Sequence, residues 1–415
     1  MEEYTIPSEL NLFDEPALTA PFQKVQYIDY RSSTTLNDNG PLQFFIPPTA
    51  NQFIDLRRSR LHVAAKIIGG TDAKSAGPVN LILHSMFDLV DVQLQQQLVS
   101  SNQLYPYKAY METILQHDEN AQKTFLQSQG FVKDEAVKID VCNGEGGEQA
   151  GLFKRWGTWT GGKVVELEGP IMADICQGDR YILNGVEISI KLWPSKATFN
   201  MLSIKDDTTA HIELVDAYLS VCKVTPTPSI TMGISKTLQD KTALYPYTRT
   251  EMRSFHLNEG KYSFHFEDMY QQVVPNEIIV GMVDAVGFNG DYKKNPFDFE
   301  HNEIETLAVY VDDESIPAKP LKMDFNKKRY VSAYNTLFGA VPEEGHNISR
   351  DDYNSGYTLF RFRLTPEQAD AAPPTKGNVK LIGTFKTALR KNVTLIVMGK
   401  IHSLMTIDNA RTITI

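Results

Sequence analysis

Apolar residues in this chain recur in short runs of period two. Leu42 to Pro47 (LQFFIP) and Leu61 to Ile68 (LHVAAKII) predict strands, the second ended by Gly69-Gly70. Val90-Asp-Val92-Gln-Leu94 alternates, turns at Gln95-Gln96-Gln97 and resumes at Leu98-Val99. Val186-Glu-Ile188-Ser-Ile190-Lys-Leu192 alternates strictly, and Ile212 to Leu214 with Tyr218 to Val224 closes the set. One wet face and one buried face per strand is the mark of antiparallel sandwiches. Residues 225–245 open on Thr-Pro226-Thr-Pro228 and carry little period, so they are expected to be a linker. Beyond it the pattern restarts, with Tyr262 to Phe266, Leu307 to Val311, Tyr357 to Leu364, Val379 to Phe385 and Val393 to Ile407. Residues 1–41 hold Pro7, Pro16 and Pro21, show no sustained period, and are expected to form an N-terminal arm.

The two sets repeat one another in order. Residues 107–115 (YKAYMETIL) set above 330–338 (YVSAYNTLF) place Tyr107 on Tyr330, Thr113 on Thr336 and Ile114 on Leu337, an offset of 223. Both segments carry the stripe of a short amphipathic helix. Each follows an alternating hairpin and precedes a Gly-led strand, Gly185-Val-Glu-Ile-Ser-Ile in one half and Gly377-Asn-Val-Lys-Leu-Ile in the other. A unit of about 200 residues is too long for a solenoid repeat and suits a duplicated domain. The expected fold is all-β: two tandem eight-stranded antiparallel jelly-roll sandwiches, at 42–224 and 246–415, with short helices in the loops. Two excursions, 142–163 with Trp156 and Trp159, and 288–304, are expected to be long surface loops.

Composition narrows the function. Hydrophobic residues make up 42% of the 415 and charged ones 22%, enough for two cores. A net charge of −10 argues against sequence-specific nucleic-acid binding, and the basic runs Arg57-Arg58-Ser-Arg60 and Lys327-Lys328-Arg329 suit solvated edges. Cys142, Cys176 and Cys222 make no disulfide framework, so folding in a reducing compartment is expected. The acidic start MEEYTIPSEL has no signal-peptide stretch, and no apolar run reaches the ~18 residues of a span. Without secretion, the glycosylation patterns at Asn347 and Asn392 are expected to be incidental.

No catalytic constellation emerges. His62, His84, His256, His265, His301 and His402 are scattered, with no HExxH spacing, no nucleophile elbow and no phosphate loop. Gly144-Glu-Gly146-Gly147 lacks the Lys-Ser/Thr that phosphate binding needs. The pairs Asp206-Asp207, Asp312-Asp313 and Asp351-Asp352 fit turns. No catalytic, cofactor or metal residue is assigned, and no enzymatic activity is expected.

Several whole segments resemble a known family. Gly77-Pro-Val-Asn-Leu-Ile-Leu-His-Ser-Met-Phe, then Val90-Asp-Val-Gln-Leu, Tyr105-Pro-Tyr-Lys-Ala-Tyr-Met-Glu-Thr, Asp179-Arg-Tyr-Ile-Leu-Asn-Gly-Val-Glu-Ile and Val393 through Ile407 are similar to the capsid proteins of Polinton/Maverick elements and related adintoviruses. The likeness spans roughly residues 40–415 and carries no active-site motif. It implies a double jelly-roll major capsid protein. Such a protein would form homotrimers that mimic hexagons and join laterally into an icosahedral shell. A penton-type minor capsid protein would fill the vertices. The resemblance places the chain in a virion, made in the cytoplasm or nucleus of a host cell. Alternatives stay open from the residues alone: a single jelly-roll vertex protein, or a glycan-binding β-sandwich using Trp156 and Trp159. A cupin-type enzyme would need a His/carboxylate cluster that the sequence does not show.

Overall fold

In the computed structural model, which describes residues 21–36, 40–69, 76–136, 150–203, 209–271, 273–338, 345–365 and 375–415, the alternating runs pair as antiparallel ladders. The first half supplies β1 (Phe22–Arg31), β2 (Leu42–Ile46), β3 (Phe53–Ile68), β4 (Ala76–Pro78), β5 (Phe87–Leu94), β6 (Gln97–Asn102), β7 (Val165–Pro170), β8 (Ile188–Pro194), β9 (Met201–Ser203) and β10 (His211–Pro226). The second supplies β11 (Ala243–Leu257), β12 (Ser263–Phe266), β13 (Glu277–Asp284), β14 (Ile304–Val311), β15 (Glu314–Lys322), β16 (Leu359–Arg363), β17 (Val379–Phe385), β18 (Val393–Ile407) and β19 (Ile413–Thr414).

Sheet orders are β1-β10-β3-β7 facing β2-β8-β5-β6, and β11-β18-β13-β16 facing β12-β17-β14-β15. Setting aside the small pair β4–β9 and the appended β19, each half holds eight strands in the order 1-8-3-6 against 2-7-4-5. That is a jelly roll, and it occurs twice. The hairpins β5–β6 and β14–β15 turn at Gln95-Gln96 (φ 49° and 64°) and Asp312-Asp313 (φ 47° and 71°). Two successive positive φ values are what a two-residue hairpin requires, and neither turn uses glycine.

Inner faces follow the alternation. Val90, Val92 and Leu94 are buried on β5; Val379, Leu381 and Phe385 are buried on β17. The repeated helices lie at matching places: Tyr105–Gln116 connects β6 to β7, and Val331–Asn335 lies between β15 and β16.

Three expectations need correction. First, residues 22–31 of the expected arm are β1, an edge strand of the first sandwich. Its residues are exposed or at best half-buried, so no strong period marks it. Residues 1–20 lie outside the described residues. Second, the expected linker holds the helix Pro228–Asp240 and the first residues of β11. Only Leu238 of that helix is buried, which is why its apolar stripe is faint. Third, the expected surface loops are partly interior. Residues 150–159 form a helix whose Trp156 and Trp159 are buried, and Phe297 and Phe299 are fully buried. Residues 142–149 lie outside the described residues.

Candidate assembly interface

A helix buried on every side needs two bodies to bury it. Tyr105–Gln116 is such a helix, with all residues from Tyr105 to Leu115 buried. Pro106 suits its first turn, where an amide hydrogen would lack a partner anyway. One flank packs on the first sandwich and the other on the second. Tyr110 stacks on Phe297 with ring centroids 4.3 Å apart. Tyr107 stacks on Phe288 at 5.7 Å and meets the edges of Phe297 and Phe299.

The same helix carries buried charge. Lys108 Nζ donates to Glu112 Oε2 at 3.0 Å and to the Met172 carbonyl at 2.5 Å, and lies 3.4 Å from Asp174 Oδ1. Asp174 Oδ2 accepts from Asn102 Nδ2 at 2.9 Å and from the Thr250 amide at 3.0 Å. Thr250 belongs to β11, so this carboxylate joins the sandwiches. Lys400 Nζ of β18 lies 3.9 Å from Glu112 and 3.6 Å from Glu277, which pairs with Arg361 of β16. Charges thus alternate across the junction from one jelly roll to the other.

Burial opposes each charge, and the neighbours outweigh it. The Lys108 pKa is raised because Glu112 and Asp174 overcome its desolvation. Glu112 is lowered because Lys108 and Lys400 overcome its burial, and Glu277 is lowered by Lys400 and Arg361 in the same way. His84 is the opposite case. Burial pushes it down to about 4. Its Nε2 donates to Gln129 Oε1 at 2.9 Å and its Nδ1 accepts from the Tyr105 hydroxyl at 2.8 Å, so the neutral ring is satisfied at both nitrogens.

Residues singled out from the sequence take structural places. His62 stacks on Tyr218 at 4.4 Å, and His301 stacks on Phe325 at 4.3 Å. His256 Nδ1 meets Thr394 Oγ1 at 3.0 Å, and His265 lies 3.3 Å from Glu267. Arg57 pairs with Asp179, Arg58 lies 3.5 Å from Asp55, and Lys328 lies 4.0 Å from Asp351. Asp351 and Asp352 open a capped turn, while Asp206 and Asp207 lie outside the described residues. Cys176 and Cys222 are free and buried; Cys142 lies outside the described residues. Asn347 Nδ2 donates to Gln122 Oε1 at 2.8 Å, and Asn392 Oδ1 accepts from the Glu259 amide at 2.9 Å. Among the described residues no group of three or more His, Cys, Asp or Glu is placed to hold a metal ion. No helix among them is long and apolar enough to cross a membrane. A cavity of about 490 Å³ opens on the first sandwich, lined among others by Phe87, Leu192, Lys196, Asn200 and His211. The aromatic and ionic junction fixes how the two barrels sit together. Sequence reasoning found its helix but not its partners, because Phe297, Phe299 and Lys400 meet it only after folding.

Two jelly rolls in tandem, locked through a shared helix, define the double jelly-roll class. No protein-family model matches the sequence. An uncharacterized Caenorhabditis elegans protein, F54H12.2, is 22% identical over 359 residues, which cover 80% of this chain and 81% of that one. Solved structures are similar over nearly the whole length. A chain in the cryo-EM structure of the Sputnik virophage matches at 12% identity and a TM-score of 0.62, covering 99% of this chain and 92% of that one. The mavirus major capsid protein matches at 12% and 0.58, covering 99% and 93%. A chain of the PBCV-1 virus capsid matches at 8% and 0.59, covering 94% and 96%. At these identities the likeness is one of fold.

Proposed function

We propose that this chain is a major capsid protein of a Polinton/Maverick element or a related adintovirus, and that three copies form a pseudo-hexagonal building block of an icosahedral shell. The complete jelly-roll strand order, present twice in one chain, carries this reading. A hexagonal lattice needs six similar lateral bodies per block. Two per chain supply six from three chains under simple threefold symmetry. Similar folds in a chain of the Sputnik virophage, the mavirus major capsid protein and a chain of the PBCV-1 virus capsid, and a relative in Caenorhabditis elegans, support the assignment. The protein acts through assembly, without turnover, and pairs in the shell with a penton-type partner. The two sandwiches are its repeating units, joined along the chain by the helix Pro228–Asp240.

The vertex reading predicts one jelly roll and meets two. The glycan reading loses its anchors, since Trp156 and Trp159 are core residues at 5% and 4% exposure. Native mass spectrometry and negative-stain images of purified protein test the proposal. Particles of three chains with six-sided outlines are expected. A stable monomer at micromolar concentration would overturn it.

A further inference from the structure

The duplication allows one half of the molecule to be used as a template for the other. In the first sandwich Arg60 pairs with Pro170 on one side and Ser220 on the other. In the second, Glu277 pairs with Arg363 and Lys400. Both are the first residues of their strand to pair on both sides, so the registers can be anchored there. His62 and Tyr218 then occupy the positions of Ile279 and Met398, and Ala64 and Asp216 those of Gly281 and Ile396.

These positions form the outer face of each four-stranded sheet. In the second sandwich the face is covered. Ile279, Met398 and Ile396 are buried, a Cβ on Gly281 would collide with Phe299, and Lys400 meets Glu112 of the Tyr105–Gln116 helix. In the first sandwich much of it is open, although Ala64, Cys222 and Val224 on it are buried. Val25 and Tyr27 are 45% and 56% exposed, and Arg60, Glu166 and Glu168 are exposed.

The opposite flank shows the converse. On β6 of the first sandwich Val99, Ser100 and Asn102 are buried where β11 lies against it, whereas its counterpart β15 leaves Pro317 to Pro320 exposed. One flank of each kind is therefore satisfied inside the chain, and one of each kind is left open.

The composition of the open face says when it becomes covered. The covered face is apolar at Ile279, Met398 and Ile396, and its charges, Glu277, Arg361 and Lys400, are paired within the chain. The open one is polar and aromatic, as suits a surface that waits in water for a partner. Asp29, Glu166, Glu168 and Asp216 surround Tyr218 and raise its pKa alongside desolvation, the largest cause. The helix matching Tyr105–Gln116 in the second sandwich is Val331–Asn335, with Val331 44% exposed, and Lys327-Lys328-Arg329 runs directly into it.

We infer that the outer face of β1-β10-β3-β7 is the docking surface for a second copy of this chain, which seats its Val331–Asn335 helix and the preceding basic turn over Tyr218 and the surrounding carboxylates. The contact repeats between chains what Tyr105–Gln116 makes within one. It is head-to-tail, each copy offering one face and one helix, so it propagates until the ring closes. The inference rests on the capsid reading and says which surfaces make the trimer.

Charge reversal tests it. Glu166→Lys with Asp216→Lys places like charges opposite the basic turn; Glu166 is exposed, and Asp216 is half-buried and pairs with Arg31, so circular dichroism first checks that the variant keeps its strand content. The dissociation constant of the trimer is expected to rise by about a hundredfold or more, read by native mass spectrometry and light scattering. Adding Lys328→Glu with Arg329→Glu should restore association. Phe153→Lys, on the helix Ala150–Trp159, should leave the trimer unchanged. Hydrogen exchange on the wild-type trimer gives an independent measurement: amides of β1 and of 331–335 should be protected. A wild-type monomer would overturn the capsid reading itself. A wild-type trimer that the reversal leaves intact, or whose β1 edge amides exchange freely, would overturn this interface and leave the capsid reading standing.

Discussion

Lys108 is fully buried and is held by two carboxylates and a carbonyl. Removing one partner of such a set leaves the others charged and dry. Lys108→Met should therefore lower the unfolding free energy by about 3–5 kcal/mol, measured by urea unfolding at fixed protein concentration. The acid response has two limbs. His84 has its pKa depressed from 6.5 to about 4 in the folded state, so between those values the unfolded chain binds more protons. Its contribution is complete above pH 6.5 and shrinks as pH falls toward 4, by about 3 kcal/mol at most. His84→Gln should flatten this limb of a stability–pH curve. Glu112 and Glu277 also have depressed pKa values, and their contribution is present above the ordinary glutamate range. It is lost as pH falls through their folded values, which steepens the curve below about pH 4.

At the scale of elements, the helix Tyr105–Gln116 sets the cooperativity. Tyr110 is fully buried and stacks on Phe297 across the junction. Tyr110→Ala should cost about 3–5 kcal/mol. It should also uncouple the two sandwiches, so that calorimetry resolves two transitions where the wild type shows one. The helix Ala150–Trp159 makes a second case. A Cβ on Gly77 of β4 would lie 1.4 Å from Trp156 Cδ1. No rearrangement short of moving the indole accommodates that contact, so Gly77→Ala should lower the melting temperature markedly. The period of the 107–115 segment announced a helix; the near-uniform burial of that helix is a property of two sheets meeting it.

At the scale of the whole molecule, the proposed assembly would tie stability to concentration. If folded trimers are in equilibrium with unfolded chains, dilution favours the separated state. The melting temperature should fall on tenfold dilution, and a value independent of concentration would speak for a monomer. Strand edges also gain from closure. β1 and β15 are edge strands of their sheets, and in the proposed trimer a ring of barrels would cover them.

The sequence determined by itself what depends on local period. Alternation marked β5, β8 and β17 because each has a wetter and a drier side along much of its length, while β18, buried through its first seven residues, showed as a long apolar run; β17 and β18 begin and end where those signals do. The order of elements, repeated at an offset of 223, showed the duplication. Strands without a two-sided contrast escaped. β13 is buried almost throughout and β1 is exposed or half-buried throughout, so neither alternates strongly. The junction was illegible for a different reason. Lys108, Asp174, Thr250 and Lys400 are far apart in the chain, and nothing local to any of them says which charge it will meet. Tertiary structure decided that, because burying a charge is tolerable only where the fold brings its counter-charge within a few ångströms.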